Sequence, residues 1–456
     1  AVAATRVPKV TKLPDRTAAG AAPNWLGRSL TVEVGPVAHG GHCVARYEGR
    51  VVFVRHALPG ETAVIEITED GGGSFCRADA VQILQPSAHR VEPPCPQAGP
   101  GRCGGCDFQH VSVAEQRSLK AAVVHEQLLR LAGLDRPVDV KPLGAGGLGW
   151  RRRIRFAVDS RGRLGLRVHR SHRIIELAAC PLGAPGVGDA AALATPWPGI
   201  SEVEVAVDDL GEAAVLAYRE AGTNRRTGGG AEGNRWTRGR AAKPKLIAEQ
   251  VSGPARLTYE VNDRTFRTQP GGFWQTHPQA AAEFTATMMS VVRAEPGERV
   301  LDLYAGSGLF TASLALAVGV DGAVCGLEAD RSAVSDAAEN LSDLPWAEVR
   351  HGWVTAATAR QTASELGGAD IVVLDPPRTG AGRDVMTALL DIRPRVIVYI
   401  ACDPAALARD VRTALDAGWQ LGDISAFDAF PMTHHVECIA TLSPPRLADP
   451  PAVGDR

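Results

Sequence analysis

The sequence predicts an α/β protein: a parallel sheet covered on both faces in its C-terminal part, preceded by a small all-β domain and an α+β central region. Three observations carry this reading. From about residue 291 the segments ERVLDLYAG, GAVCGLEAD, ADIVVLDPP and RVIVYIACDP are each near-continuously apolar and alternate with helical stretches. Strands buried on both faces and joined by crossover helices have that pattern, and the predicted domain is Rossmann-like. Residues 28–86 instead carry β-rich runs (SLTVEV, VARYEGRVVFVRHAL, TAVIEITED) between Gly and Pro turns, with GGG at 71–73. Their length and pattern suit a five-stranded barrel of the OB type. Between these parts lie a Cys/Pro/Gly cluster at residues 93–106, a helical stretch near 113–132, and RIRFAVDSRGRLGLRV, which reads as a hairpin turning at Gly162.

The expected organisation is a disordered tail over 1–27, the barrel over 28–86, a central region over 87–254 and an α/β domain over 255–456. Residues 221–245, Gly- and Arg-rich without periodicity, read as a mobile loop within the central region. The N-terminal stretch lacks the apolar core of a secretion signal, and no apolar run approaches bilayer length. Nine cysteines, an odd number unevenly spread, argue against a disulfide framework and for a reducing cytoplasm. A monomer with no obligate protein partner is expected.

Net charge is −2, yet residues 150–175 hold nine Arg and one Asp, so that segment carries +8 and the remainder −10. Such a segment is either a phosphate-binding surface or a solvated strand face with counter-charges nearby.

Two constellations point to chemistry. In VLDLYAGSGLFTASLA a strand, a turn with Gly306 and Gly308, and a helix follow one another. Glycines let the backbone approach a ligand, and a helix N-terminus favours electronegative groups. A dinucleotide fingerprint would carry a third small residue where Thr311 stands. Glu328 ends the next strand, where a carboxylate can take both ribose hydroxyls. Asp375 ends a third strand, before a Pro pair. Together these fit a nucleoside ligand without a diphosphate, such as S-adenosylmethionine; the alternative is a purely structural domain. The second constellation is Cys95, Cys103 and Cys106 in one Gly/Pro loop, with Cys180 before a Pro further on. Zinc usually draws on two Cys pairs; three clustered cysteines plus a distant one favour an iron–sulfur cluster. Cys402, at the tip of the last apolar run, sits where open α/β sheets bind ligands.

Taken together these motifs resemble the S-adenosylmethionine-dependent RNA uridine C5-methyltransferases, over roughly residues 28 to 443. The resemblance implies a class I methyltransferase domain, an N-terminal TRAM barrel with VVFVRHALPGE as its central strand and turn, and a four-iron, four-sulfur ([4Fe-4S]) cluster on Cys95, Cys103, Cys106 and Cys180. It implies cofactor contacts from Gln275 of FWQTHPQ, Tyr304 of DLYAGSG, Glu328 and Asp375 of DPPR. It makes Cys402 of ACDPAALARD the nucleophile and Glu437 of FPMTHHVECIATL the proton acceptor, with His434 and His435 as nearby alternatives. The substrate would be a uridine in tRNA or 23S rRNA, held by the barrel, the Arg segment and the Gly/Arg loop. Arg378 would orient the uracil or a flanking phosphate. A cysteine in the DPPR motif would have favoured cytosine. The chain departs from the family at Asp403, where Asn is usual, at Thr276 and His277, at Leu309, and in the longer spacing from Cys95 to Cys103. A non-catalytic RNA-binding protein and a small-molecule C-methyltransferase are the competing classes; intact Cys402, Glu437, Asp375 and Glu328 weigh against the first and the Arg segment against the second.

Overall fold

The structure, a computed structural model, describes residues 24–144, 146–221 and 245–445. The tail up to residue 23 and nearly all of the expected 221–245 loop lie outside these residues. The described residues form two compact units, one of those up to Pro36 with His42–Ser87, the other of Val37–Gly41 and those from Ala88 onward.

In the smaller unit, β1 (Ser29–Glu33), β2 (Cys43–Tyr47), β3 (Arg50–Arg55), β4 (Thr62–Asp70) and β5 (Phe75–Gln85) form one sheet in the order β1-β4-β5-β3-β2. Alternate residues (Val52, Val54, Ala63, Ile65, Ile67, Ala78) are buried, as a sheet with one covered face requires. Glu48 and Gly49, both at positive φ, make the two-residue turn between β2 and β3. The sheet does not close into the expected barrel: β1 and β2 are its two edges. Past β1, Gly35 N–H to Val44 O (2.8 Å) and Val44 N–H to Pro36 O (2.9 Å) join the chain to β2. Trp25, which composition assigns to the tail, is 2 % exposed. It packs edge-on to Tyr47 at 5.8 Å with the Arg50 guanidinium 4.4 Å over its ring.

The larger unit opens with α1 (Val113–Gln127), extended by a π turn over Leu128–Ala132 that ends at Gly133 in the left-handed region. A short strand, β6 (Val140–Pro142), follows. Strands β7 (Arg153–Val158), β8 (Leu164–Arg167), β9 (Ile174–Glu176), β10 (Glu202–Val207), β11 (Ala213–Glu220) and β12 (Leu246–Ser252) form a six-stranded sheet ordered β12-β11-β10-β7-β8-β9. β7 and β8 are the expected hairpin, with Gly162 at φ +80° in its turn. The Arg-dense segment has its counter-charges nearby: Arg155 and Arg153 meet Glu204 at 2.9 and 3.5 Å, Arg167 meets Glu202 at 3.2 Å, Arg163 meets Asp159 at 3.0 Å, and Arg152 pairs with Asp209. Acids on β10, the neighbour of β7, absorb much of the local positive excess.

After the hairpin β13 (Leu257–Val261) and β14 (Arg264–Thr268) comes the α/β part. It runs α2 (Ala280–Val292), β15 (Arg299–Leu303), α3 (Leu309–Val318), β16 (Ala323–Glu328), α4 (Arg331–Asn340), β17 (Ala347–His351), α5 (Ala356–Glu365), β18 (Ile371–Leu374), α6 (Arg383–Ile392), β19 (Val396–Ala401), α7 (Pro404–Asp416), β20 (Gln420–Asp428) and β21 (Glu437–Ser443). Its sheet is ordered β17-β16-β15-β18-β19-β21-β20-β6. Strands β15 to β19 are mutually parallel and β21 is antiparallel to both neighbours. Two cores flank it: Val300, Val373 and Val398 pack with Phe284 and Leu314 of α2 and α3, whereas Leu301, Val372 and Ile397 pack with Ala363, Leu389 and Leu407 of α5, α6 and α7. This is the doubly covered sheet that the apolar runs predict. Its last strand, β6, comes from residues 140–142, so the sheet crosses the boundary expected near residue 254.

Candidate active site

The strand order reverses between β15 and β18, and ligands of open α/β sheets bind beyond the carboxyl ends of the strands at such a point. Register fixes what stands there. Leu303 pairs with Leu327 and with Leu374, and Leu374 pairs with Tyr399. Tyr304 and Asp375 therefore follow the last paired residues of β15 and β18, Glu328 ends β16, and Cys402 follows β19. Four of the residues singled out in the sequence lie along one edge.

Backbone conformation shapes that edge. Gly306 and Gly308 have φ of +56° and +87°, and Tyr304, not a glycine, sits at +63°. A non-glycine residue held in the left-handed region is strained, and such strain concentrates at functional sites. Glu328 clamps the turn: its Oε2 accepts from Gly306 N–H at 3.0 Å and its Oε1 from Asp330 N–H at 2.7 Å. Beneath the turn, Asp302 is buried and accepts from Thr311 Oγ1 at 2.6 Å. Burial pushes the Asp302 carboxyl up to about 7, against the pull of the Thr311 bonds. Burial likewise pushes Asp375 up to about 7, with the charge of Asp302 adding to it.

Cys402 and Glu437 come together through strand pairing. Ala401 of β19 pairs with Cys438 of β21, the last pair of that ladder, and Cys402 and Glu437 are the next residues along the two chains. Burial, then the charges of Glu437 and Asp375, push the Cys402 thiol up to about 12, and Arg378 opposes them. Glu437 is buried, and its Oε2 has no hydrogen-bond partner among the described residues. Burial first, then Asp375, hold its carboxyl well above the usual range, with Arg378 again opposing.

The other sequence candidates take varied places. Gln275 is buried in the segment before α2, and no hydrogen bond among the described residues joins it to the strand-end group. Asp403, the departure beside Cys402, is the N-cap of α7: its Oδ1 accepts from Ala406 N–H at 2.8 Å and Pro404 opens the helix. Its Oδ2 meets His39 Nε2 at 2.9 Å. Leu309 is the buried first residue of α3. His277 stacks on Trp150 at 5.9 Å. His435 lies 3.1 Å from Arg378, and His434 2.6 Å from Asp107. The sequence reading missed two residues here. Asp302 was only a strand residue, although an acid inside the apolar run VLDLYAG was a visible signal. Asp107 follows Cys106 directly and was absorbed into the cysteine motif.

Cys95, Cys103, Cys106 and Cys180 line one cavity, together with Gln109 and Arg151. Cys180 stands after β9, at the start of a turn closed by Gly183 N–H to Cys180 O at 2.9 Å. Gln109 Nε2 donates to Cys106 Sγ at 3.1 Å and Gly105 N–H to Cys103 Sγ at 3.4 Å. The longer Cys95–Cys103 loop folds on itself, Cys103 N–H donating to Gln97 O at 3.0 Å. Burial raises the Cys103, Cys106 and Cys180 thiols, Cys106 to about 12, and the Arg151 charge opposes this at Cys103 and Cys180. Among the described residues no group of three or more His, Cys, Asp or Glu side chains is arranged to hold a metal ion.

Comparison with known proteins follows this geometry. Residues 361–444 match the tRNA (uracil-5-)-methyltransferase family model, residues 25–80 the TRAM domain, and residues 261–355 the protein-L-isoaspartate O-methyltransferase model. An uncharacterized RNA methyltransferase of Streptomyces coelicolor is 44% identical, over 92% of this chain and 93% of that protein. The 23S rRNA (uracil(1939)-C(5))-methyltransferase of Shewanella baltica is 30% identical, over 91% of this chain and 96% of that protein. In fold, the chain is similar to the tRNA (uracil-54, C5)-methyltransferase of Pyrococcus abyssi, solved with S-adenosyl-L-homocysteine, at a TM-score of 0.64, 22% identity, and coverage of 91% of this chain and 100% of that one.

Proposed function

The chain belongs to the S-adenosylmethionine-dependent RNA uridine C5-methyltransferases, and from that premise we propose that it methylates C5 of a uridine in tRNA or 23S rRNA through a covalent bond between Cys402 Sγ and uracil C6. The observation that carries the proposal is the placement of Cys402 directly after β19 and of the buried Glu437 at the start of β21, each one residue beyond the Ala401–Cys438 pair that joins the two strands, close enough for the Glu437 charge to act on the thiol.

Uracil C5 is a poor nucleophile. Addition of the Cys402 thiolate to C6 places the electron pair in an enolate and makes C5 nucleophilic. S-adenosylmethionine, when bound, supplies the electrophilic sulfonium methyl. Once C5 carries the methyl, Glu437 takes the C5 proton; the electron pair re-forms the C5–C6 double bond and expels Cys402 Sγ. The three groups at rest are a thiol and two raised carboxyls, Glu437 and Asp375. A positive charge entering beside Asp375 favours their ionised forms, so the base and the nucleophile become competent only in the loaded site. Arg378 acts in the same direction on Cys402 and Glu437. We assign Glu328 to the ribose hydroxyls, Tyr304 to the adenine side, Gln275 to a further cofactor contact, and Asp375 to the neighbourhood of the sulfonium. The target base must leave its stack to reach this edge.

Although no three of these side chains stand as ligands of a single metal ion among the described residues, we infer a [4Fe-4S] cluster on Cys95, Cys103, Cys106 and Cys180, a reading supported by the four thiols sharing one cavity, by N–H groups aimed at two of the sulfurs and by the positive charge of Arg151 facing them. An anionic thiolate-bound cluster suits that environment. Its contribution there is to tie the Gly/Pro loop to the turn after β9.

The test is nucleoside analysis of RNA from a strain lacking this gene, after incubation of anaerobically purified protein with methyl-labelled S-adenosylmethionine. Labelled 5-methyluridine, absent with Cys402→Ala, is expected, and its mapped position names the RNA. Label in another base or in none would overturn the proposal.

A further inference from the structure

The loop between β20 and β21 delivers Glu437, and it is tied to the residues that follow Cys106. Asp107 and Phe108 both donate their N–H to Met432 O, at 2.9 and 3.0 Å. Met432 itself sits at φ +67°, a strained conformation for a non-glycine residue. Asp107 Oδ2 accepts from His434 N–H at 3.2 Å and meets His434 Nδ1 at 2.6 Å. The His434 ring lies 4.1 Å from that of His435. His435 Nε2 stands 3.1 Å from Arg378 Nη2, the hydrogen-bond partner that the guanidinium has among the described residues.

Hydrogen-bonding capacity fixes the direction of this chain. A carboxylate only accepts, so His434 carries its proton on Nδ1. A guanidinium only donates, so His435 Nε2 accepts and the ring is neutral. Burial and the neighbouring cations keep it so, pulling His435 down to about 3.

We propose that Asp107, His434 and His435 are positioning residues for the methyl transfer proposed above, holding the Arg378 guanidinium in place against Cys402 and Glu437. Arginine loses considerable rotamer freedom when it is fixed, and the side chain that must counter the negative charge of two groups is long. Asp107 fixes the His434 ring, His434 packs against His435, and His435 accepts from Arg378. The relay rests on the reading of Cys402 and Glu437 as reacting groups and adds to it a route by which the cysteine loop orients them.

A double-mutant cycle tests this. His435→Phe keeps an aromatic ring and removes the acceptor, whereas His435→Gln restores an acceptor. His435→Phe is expected to lower kcat for RNA methylation by about 10- to 100-fold, the scale of a misplaced reacting group. KM for RNA and for S-adenosylmethionine should stay within about twofold, and His435→Gln should recover most of the loss. Because His435 acts through Arg378, Arg378→Ala/His435→Phe should be no slower than Arg378→Ala alone. Wild-type kcat in His435→Phe, a loss carried by KM, or independent losses that multiply in the double variant would overturn the relay. If His435→Phe fails to bind S-adenosylhomocysteine, the same cycle with Asp107→Ala decides by the same criteria. Absence of 5-methyluridine with the wild-type protein would instead sink the methyltransferase reading itself, so the two failures are distinguishable.

Discussion

Three weakened acids meet at one strand edge. Cys402 is pushed to about 12, Asp375 to about 7, and Glu437 well above an ordinary carboxyl. Each is raised chiefly by burial, which disfavours the charged form. The consequence for pH has a definite sign. The folded values of Asp302 and Asp375, about 7, exceed the ordinary 3.8. Their neutral forms therefore stabilise the fold fully below the ordinary value, and this contribution fades as pH rises through about 7. A cationic ligand relieves the cost of ionising them; a neutral one does not. The affinity ratio of S-adenosylmethionine to the uncharged S-adenosylhomocysteine should rise by roughly fivefold from pH 6 to pH 8, and Asp375→Asn should flatten the rise. Titration calorimetry at several pH values measures it; a flat ratio in the wild type contradicts the placement of Asp375 beside the sulfonium.

At the scale of elements, what was legible depended on how local its cause is. The runs ending in DLYAG, GLEAD and LDPP read as buried parallel strands because both faces are covered, which leaves an unbroken apolar signal. The Cys402–Glu437 pair was accessible one residue at a time, but their juxtaposition depends on the β19–β21 register. The Asp107–His434 contact spans 327 residues of chain and has no local trace. Barrel closure was misread because alternation reveals which face is buried and not whether the edges, here β1 and β2, meet. The Arg segment was ambiguous because its neutralising acids, Glu202 and Glu204, arrive on β10, far along the chain. That pairing makes a prediction. Arg155→Gln and Arg167→Gln should change RNA affinity by less than about threefold and leave its salt dependence intact, whereas a true phosphate contact would lower the slope by about one. Filter binding across a salt series distinguishes the two. The proposed cluster makes another: if it is present, Arg151→Met should reduce iron and sulfide content and visible absorbance in anaerobic preparations, while Arg161→Met should not. Equal iron content in all three proteins would contradict a charge-compensating Arg151.

Over the whole molecule, one sheet of eight strands gathers residues from both ends of the larger unit. Strand β6, from residues 140–142, closes the far side, and α1 packs beside α7 under the same core as β19. The segment that carries the cysteines is thereby continuous with the sheet that carries Cys402 and Glu437. The central claim is that these two residues add to and release the same uracil. Glu437→Gln keeps the shape of the site and removes the base, so the reaction should stop after methyl transfer with Cys402 Sγ still bonded to C6. The most direct measurement is intact mass of Glu437→Gln incubated with the substrate RNA and methyl-labelled S-adenosylmethionine, under denaturing conditions. The account predicts a covalent protein–RNA species carrying the label, absent in Cys402→Ala/Glu437→Gln. Wild-type turnover by Glu437→Gln, or methylation that persists in Cys402→Ala with no adduct in any variant, would contradict it.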